Sequence, residues 1–138
     1  HIVSLDSNEK YEETDAETPQ MQWLQQDLET FGGACTLVFF HHPRYSVGSH
    51  GDTEWLDELW KMLAEHHVTL VLSGHEHNYQ RWQPLDSSGT ISSTGTVSLV
   101  VGTGGQSEYA VNREDDLRFD VPIAPLADGR RIRAVEAH

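Results

Sequence analysis

The sequence predicts a layered α/β (α+β) domain with a largely parallel central sheet. Three observations carry that expectation. Continuous apolar runs of strand length recur as "TLVFF", "VTLVL" and "VSLVV". Segments with helical spacing of apolar residues alternate with strand-like ones. The 138 residues suffice for one core, but fall well short of the roughly 250 that an eight-stranded α/β barrel needs.

Taken in order, Ile2 to Leu5 is a short β-type run, followed by the acidic loop "DSNEKYEETDAE". Thr18 and Pro19 form a helix entry, since threonine caps free amides and proline is preset for the first helical position. Met21, Leu24, Leu28 and Phe31 share one helical face, and Gly32 with Gly33 closes the helix. Thr36 to Phe40 suits a strand buried on both faces. Cys35 at its head reads as a small buried hydrophobe and, being the lone cysteine, forms no intramolecular disulfide and says nothing about redox compartment. After the loop "HHPRYSVGSHGD", a second helix is expected from about Glu54 to His66, with Leu56, Leu59, Trp60 and Leu63 as its stripe. Acidic Glu54, Asp57 and Glu58 near its start and His66 and His67 near its end complement the helix dipole. Trp23 and Trp55, beside these stripes, read as core. Val68 to Leu72 and Val97 to Val101 are further buried strands, joined through the turn-rich "PLDSSGTISSTG". Residues 1–105 make the body of the domain, and 106–138, with little periodicity, an irregular C-terminal segment of it.

Composition narrows the function. A hydrophobic content of 37% and a charged content of 22% describe a globular protein, and no apolar run approaches the roughly 20 residues of a membrane span. The net charge of −13 is spread along the chain and repels phosphate backbones and anionic lipid, which argues against nucleic-acid and membrane-surface partners. The opening "HIVSLDSNEK" has neither an initiator Met nor the basic start of a signal peptide. The expectation is a processed chain or a piece of a larger protein.

In parallel sheets, ligand sites gather beyond the carboxyl ends of the strands. Three polar clusters fall there: His41 and His42 after "TLVFF", Ser73 to His77 after "VTLVL", and Gly102 to Gly105 after "VSLVV". With one bend after Gly74, His75 and His77 could both reach a metal site while Glu76 faces elsewhere. Imidazole is the commonest metal ligand, yet a His-x-His pair in isolation is more often a pair of ordinary loop residues. Tyr79, Gln80 and Arg81 occupy the positions where a metallo-β-lactamase or a cupin would place further ligands.

"SGHEHNYQR" resembles the Gly-His-x-His signature of the calcineurin-like metallophosphoesterases, most closely in the purple acid phosphatase branch. "TPQMQWLQQDL" is similar to that branch's Gln-x-x-Trp-Leu helix, "LVFFHHPRYSVG" to its strand ending in a ligand histidine before proline, and "LVVGTGG" to its late strand and glycine turn. The four pieces fall in family order across residues 2–105.

The resemblance implies hydrolysis of a small phosphate ester, mono- or diester, at a dinuclear centre of divalent or trivalent iron, zinc or manganese. Two metals about 3.5–4 Å apart would clamp and activate the reacting oxygens. His41 and His75 would bind one metal and His77 the other. His50 would hold the ester or protonate its leaving group, as a catalytic and substrate-binding residue. His42, at a position the family usually gives to a small or variable residue, is a second substrate-binding candidate. The family's Asp, bridging Asp, Asn and Tyr ligands precede the segment that "HIVSLDSN" matches. The resemblance therefore implies the C-terminal half of a metallophosphoesterase β-sandwich flanked by helices. Its partner would be the upstream half of the same protein; the isolated chain would hold one metal ion or none and have little activity. The alternative is a non-catalytic module keeping the fold and at most one zinc. The branch also implies a secreted or extracytoplasmic location.

The remaining candidates have plainer readings. His1, His66, His67 and His138 read as surface or terminal residues. Asn78 and Arg81 read as structural, and Gly102 to Gly105 as a turn that lets the backbone pass near the site. Asp6 is a candidate to orient a metal ligand.

Overall fold

The computed structural model describes residues 1–8, 14–33, 35–105, 107–113 and 115–119. Five strands and two helices form there: β1 Ile2–Ser4, α1 Pro19–Thr30, β2 Leu37–Phe39, α2 Asp57–Glu65, β3 Leu70–Ser73, β4 Tyr79–Arg81 and β5 Val97–Val101. The sheet order is β1-β2-β3-β5-β4. The first four strands in that order are parallel, and β4 joins the edge antiparallel to β5. A mixed sheet with helices is the α/β class expected from the alternation of elements.

Local chemistry explains the helices. The Thr18 side chain accepts from the Met21 amide at 3.3 Å, with Pro19 in the first turn. Met21, Leu24 and Leu28 are buried on α1, and Leu59, Trp60 and Leu63 on α2, after a 3-10 turn over Glu54–Leu56. Both helices contribute to one cluster with Val3, Val38 and Val71, which lie side by side on adjacent strands. Tyr45 extends that core, its ring 5.1 Å from Trp60 and 5.8 Å from Trp82.

Among the described residues only one face of the sheet is covered. Ile2, Leu37, Leu70 and Val97 line up across the strands, as do Phe39, Leu72 and Leu99. All of these are at least partly exposed, with Ile2 at 71% and Phe39 at 42%. "TLVFF" is thus buried on one face, not both as its apolar continuity predicts. The second apolar row is real, but nothing among the described residues covers it.

Other expectations also shift. Trp23, Trp55 and Phe31 are substantially exposed; Phe31 ends α1 and stacks on His1 at 4.5 Å, while the Trp55 indole N–H donates to the Ser7 carbonyl at 3.3 Å. Trp23 and Trp55 flank the stripes, and Phe31, expected in the α1 stripe, falls just past the helix end at Thr30; a helix buries only the residues facing the sheet. Cys35 is exposed because it precedes β2 instead of lying in it. The strand β4 has no apolar run to announce it, since its buried residue is Gln80. That side chain is held by polar contacts: Gln80 Oε1 accepts from Val47 N, and its Nε2 donates to Ser46 Oγ and Asn78 Oδ1, all at 3.0 Å.

Residues 107–113 and 115–119 form no helix or strand, and Val111 and Phe119 pack against the core. The rest of the 106–138 segment, like most of the loop after Asn8, lies outside the described residues.

Deleting core volume on α2 is expected to show in equilibrium unfolding. Leu63→Ala, at a fully buried position, should cost about 2–5 kcal/mol and lower the urea midpoint. Leu117→Ala, at 89% exposure, should stay within about 0.5 kcal/mol of wild type.

Candidate metal centre

Because β2, β3 and β5 run parallel, their carboxyl ends open on the same edge. The pairing continues past the strands: Phe40 N donates to Leu72 O at 3.1 Å, and Gly74 N to His41 O at 3.0 Å. This fixes His41 beside Gly74. The chain then turns sharply. His75 adopts φ +60°, Glu76 N donates to Gly74 O at 2.7 Å, and Asn78 N to Glu76 O at 2.8 Å. A left-handed conformation costs a non-glycine residue roughly 1–2 kcal/mol, and such outliers concentrate at functional sites.

That turn sends His75 toward the end of β2. Its Nδ1 is 3.2 Å from His41 Nε2, and one nitrogen from each of His41, His42 and His75 lies within 4.8 Å of the others. His42 Nδ1 is 3.0 Å from Ser7 Oγ, and the same oxygen accepts the His42 amide at 3.0 Å. The His50 ring lies 4.5 Å from that of His75 and 5.2 Å from Tyr109.

His77 points the other way along the turn. Its ring stacks on Tyr109 at 4.0 Å, and Nδ1–H donates to the Ser107 carbonyl at 2.7 Å. That bond fixes the tautomer and leaves Nε2 as the nitrogen with a lone pair, the arrangement that metal-binding histidines commonly use. The structure therefore gathers His41, His42, His50 and His75, whereas His77 contacts Tyr109 and Ser107 instead.

Burial lowers the His75 pKa to about 4, with the neighbouring His42, His50 and His41 acting in the same direction and Glu76 opposing. At neutral pH the ring carries no proton on one nitrogen, the form a metal requires. Neutral imidazole suits zinc, iron and similar ions.

Gly102 permits the close approach expected of the glycine turn. A Cβ there would lie 1.8 Å from the Glu76 carbonyl oxygen, and its amide donates to Asn78 O at 3.1 Å. Asn78 is structural, its Nδ2 reaching Tyr109 O at 3.4 Å. Asp6 organises its own loop, accepting from Asn8 N at 2.9 Å and donating its amide to Gln20 at 2.8 Å. His1 pairs with Asp27. His66 Nδ1–H donates to Met62 O at 2.9 Å, and His67 at φ +55° ends α2. His138 lies outside the described residues.

Sequence reasoning missed Ser7, Tyr109 and the burial of Glu76. Tyr109 stands in a stretch without periodicity, so no pattern marks it. Glu76 does face away from its neighbours His75 and His77, as the alternation suggests, but it is buried against the loop that carries His50, where a polar loop residue would be expected to meet water.

The α/β fold thus carries a cluster of histidines at the ends of its parallel strands, a donor set of the kind that could hold a metal ion. The model of the calcineurin-like phosphoesterase family matches residues 1–79, and the chain belongs to that family. Within it the resemblance is to purple acid phosphatases. The chain is 31% identical over 136 residues to purple acid phosphatase 22 of Arabidopsis thaliana, covering 94% of this chain and 29% of that protein. It is 36% identical over 73 residues to tartrate-resistant acid phosphatase type 5 of Homo sapiens, covering 52% and 22%. Among solved structures, a purple acid phosphatase from yellow lupin (Lupinus luteus) seeds superposes with a TM-score of 0.64 at 19% identity, over 78% of this chain and 22% of the other. GAP50, the anchor in the inner membrane complex of Plasmodium, gives 0.64 at 17% identity, over 86% and 36%. The chain thus spans less than a third of the length of these curated relatives. Among the described residues no helix is long and apolar enough to cross a membrane.

The depressed His75 pKa sets a pH dependence. Between about pH 4 and the ordinary value of 6.5, the unfolded chain binds a proton that the folded chain does not, so stability falls as pH falls through that window. The melting temperature of the metal-free chain should drop from pH 6.5 to 4, and His75→Gln should drop less. Equal slopes for the two proteins would show that His75 makes no such contribution.

Proposed function

We propose that this chain supplies the histidine side of a dinuclear metal centre that hydrolyses small phosphate esters. The observation that carries the reading is the convergence of His41, His75 and His50 at the carboxyl ends of parallel strands. His41 and His75 would hold one metal, and His77, through the Nε2 left by its bond to Ser107, the other. When bound, the metals would supply Lewis acidity toward the phosphoryl oxygens and lower the pKa of water.

The chain's own residues do the rest. His50 stands against His75 with its side chain 46% exposed, where it can meet an ester and deliver a proton to the leaving alkoxide. His42, anchored by Ser7, adds a second imidazole for the phosphate oxygens. Tyr109, in contact with both His50 and His77, walls one side and limits water.

The missing carboxylate and amide ligands would come from an upstream half of the same polypeptide. Two observations support that half: the length of the relatives, and the apolar sheet face bearing Ile2, Phe39 and Leu99, left uncovered among the described residues, which a second sheet of a sandwich would bury. The extracytoplasmic location implied by the purple acid branch belongs to the same proposal. A second reading, a non-catalytic module with one zinc, draws on the proximity of His41, His42 and His75 within the chain, since three protein ligands suffice for one zinc.

Hydrolysis of p-nitrophenyl phosphate separates them. The polypeptide that includes the upstream half should be active, His75→Ala should abolish turnover, and His50→Ala should lower kcat by about 10²–10⁴-fold. The 138-residue chain should show no turnover. An inactive longer polypeptide that still takes up one zinc favours the module.

A further inference from the structure

Glu76 has no part in the reading above, yet it is the most deeply placed charge near the site. Its side chain is fully buried. Ser49 N donates to Oε2 at 3.2 Å and Ser49 Oγ to the same atom at 3.5 Å, while His50 N donates to Oε1 at 2.6 Å. His50 Nδ1 lies 3.3 Å from Oε1. A buried carboxylate is costly unless hydrogen bonds and opposite charge compensate it. Here the compensation comes from one short segment, the loop that carries His50.

The loop is shaped around the carboxylate. At Gly48 an added Cβ would have its three closest neighbours in the Glu76 carboxyl group, with Cδ at 2.3 Å. Any side chain there would expel Glu76. Ser46 Oγ accepts from Gly48 N at 2.9 Å and from Gln80 Nε2 at 3.0 Å, and Asp52 accepts from Ser46 N at 2.9 Å. The two ends of the loop are therefore tied to each other through Ser46 and Asp52 and to Gln80, and its tip rests on Glu76.

We propose that Glu76 is a positioning residue for His50. Its carboxylate grips the Ser49 and His50 amides and faces His50 Nδ1, so the ring proton sits on Nδ1 and Nε2 is the nitrogen left to exchange a proton with a bound ester. Carboxylates that face one imidazole nitrogen fix the tautomer and aim of the ring in this way. The His-x-His pair thus carries a second function on its middle residue: the turn that aims His75 at His41 drives Glu76 into the opposite loop. This inference rests on the role given to His50 above, but its test does not depend on turnover.

The experiment is long-range ¹H–¹⁵N correlation of the histidine rings in the full chain at neutral pH, without metal. Wild-type His50 should be the Nδ1–H tautomer. Glu76→Ala should convert it toward the Nε2–H form that an unconstrained imidazole favours, and Glu76→Gln, which keeps an acceptor, should restore part of the signal. Gly48→Ala should reproduce the Glu76→Ala spectrum, and adding it to Glu76→Ala should change nothing more. Wild-type His50 in the Nε2–H form overturns the proposal without any variant, and so does an unchanged tautomer in folded Glu76→Ala. Cobalt(II) titration of the polypeptide that includes the upstream half separates the two readings. Unchanged cobalt affinity in its Glu76→Ala form with an altered tautomer supports the positioning role, whereas failure of its wild type to bind cobalt counts against the metal centre and leaves the tautomer result to stand by itself.

Discussion

Everything at the histidine cluster depends on β2, β3 and β5 running parallel. Parallel pairing brings the carboxyl ends of strands distant in sequence to one edge, and the ladder bond from Gly74 N to His41 O carries the register one step beyond the strands. His41 and His75, 34 residues apart, meet because of that bond. An antiparallel neighbour would bring an amino end to the same edge instead. The core face of valines and the two helices behind it serve mainly to hold this register.

The second constraint is the turn over residues 74–78. It places a non-glycine residue in left-handed backbone, and the strain is offset by hydrogen bonds at 2.7 and 2.8 Å within the turn and by those that the Ser49 and His50 amides donate to Glu76. Three consecutive side chains leave in three directions: His75 toward His41, Glu76 into the loop, and His77 onto Tyr109. Gly102 lets the end of β5 pass directly over this turn. The site is therefore built from backbone shape first and side-chain chemistry second.

Much of this was legible in the residues, for reasons that can be named. The capped start of α1, the stripe of α2 and the run Val97–Val101 follow from periodicity and capping, which are local. The histidine pair was visible because it follows a strand directly. What escaped was non-local. Phe39 belongs to an apolar run, and only pairing shows that its face lacks a cover. The polar strand β4 exists because β5 offers it an edge. Tyr109 reaches the site through backbone bonds of an aperiodic segment, Tyr109 N donating to His77 O at 3.2 Å, and no spacing rule foretells such a contact. Which imidazoles lie closest was also beyond sequence: His42 joins His41 and His75 because Ser7, on the loop after β1, anchors it.

The two-metal site proposed for these histidines, completed from outside the chain, is tested by the metal content, from elemental analysis, of the polypeptide that joins this chain to its upstream half. Such a site requires two metal ions per polypeptide, with loss of metal in both His41→Ala and His77→Ala. Fewer than two ions in the unmodified protein, or full occupancy in both variants, would contradict it.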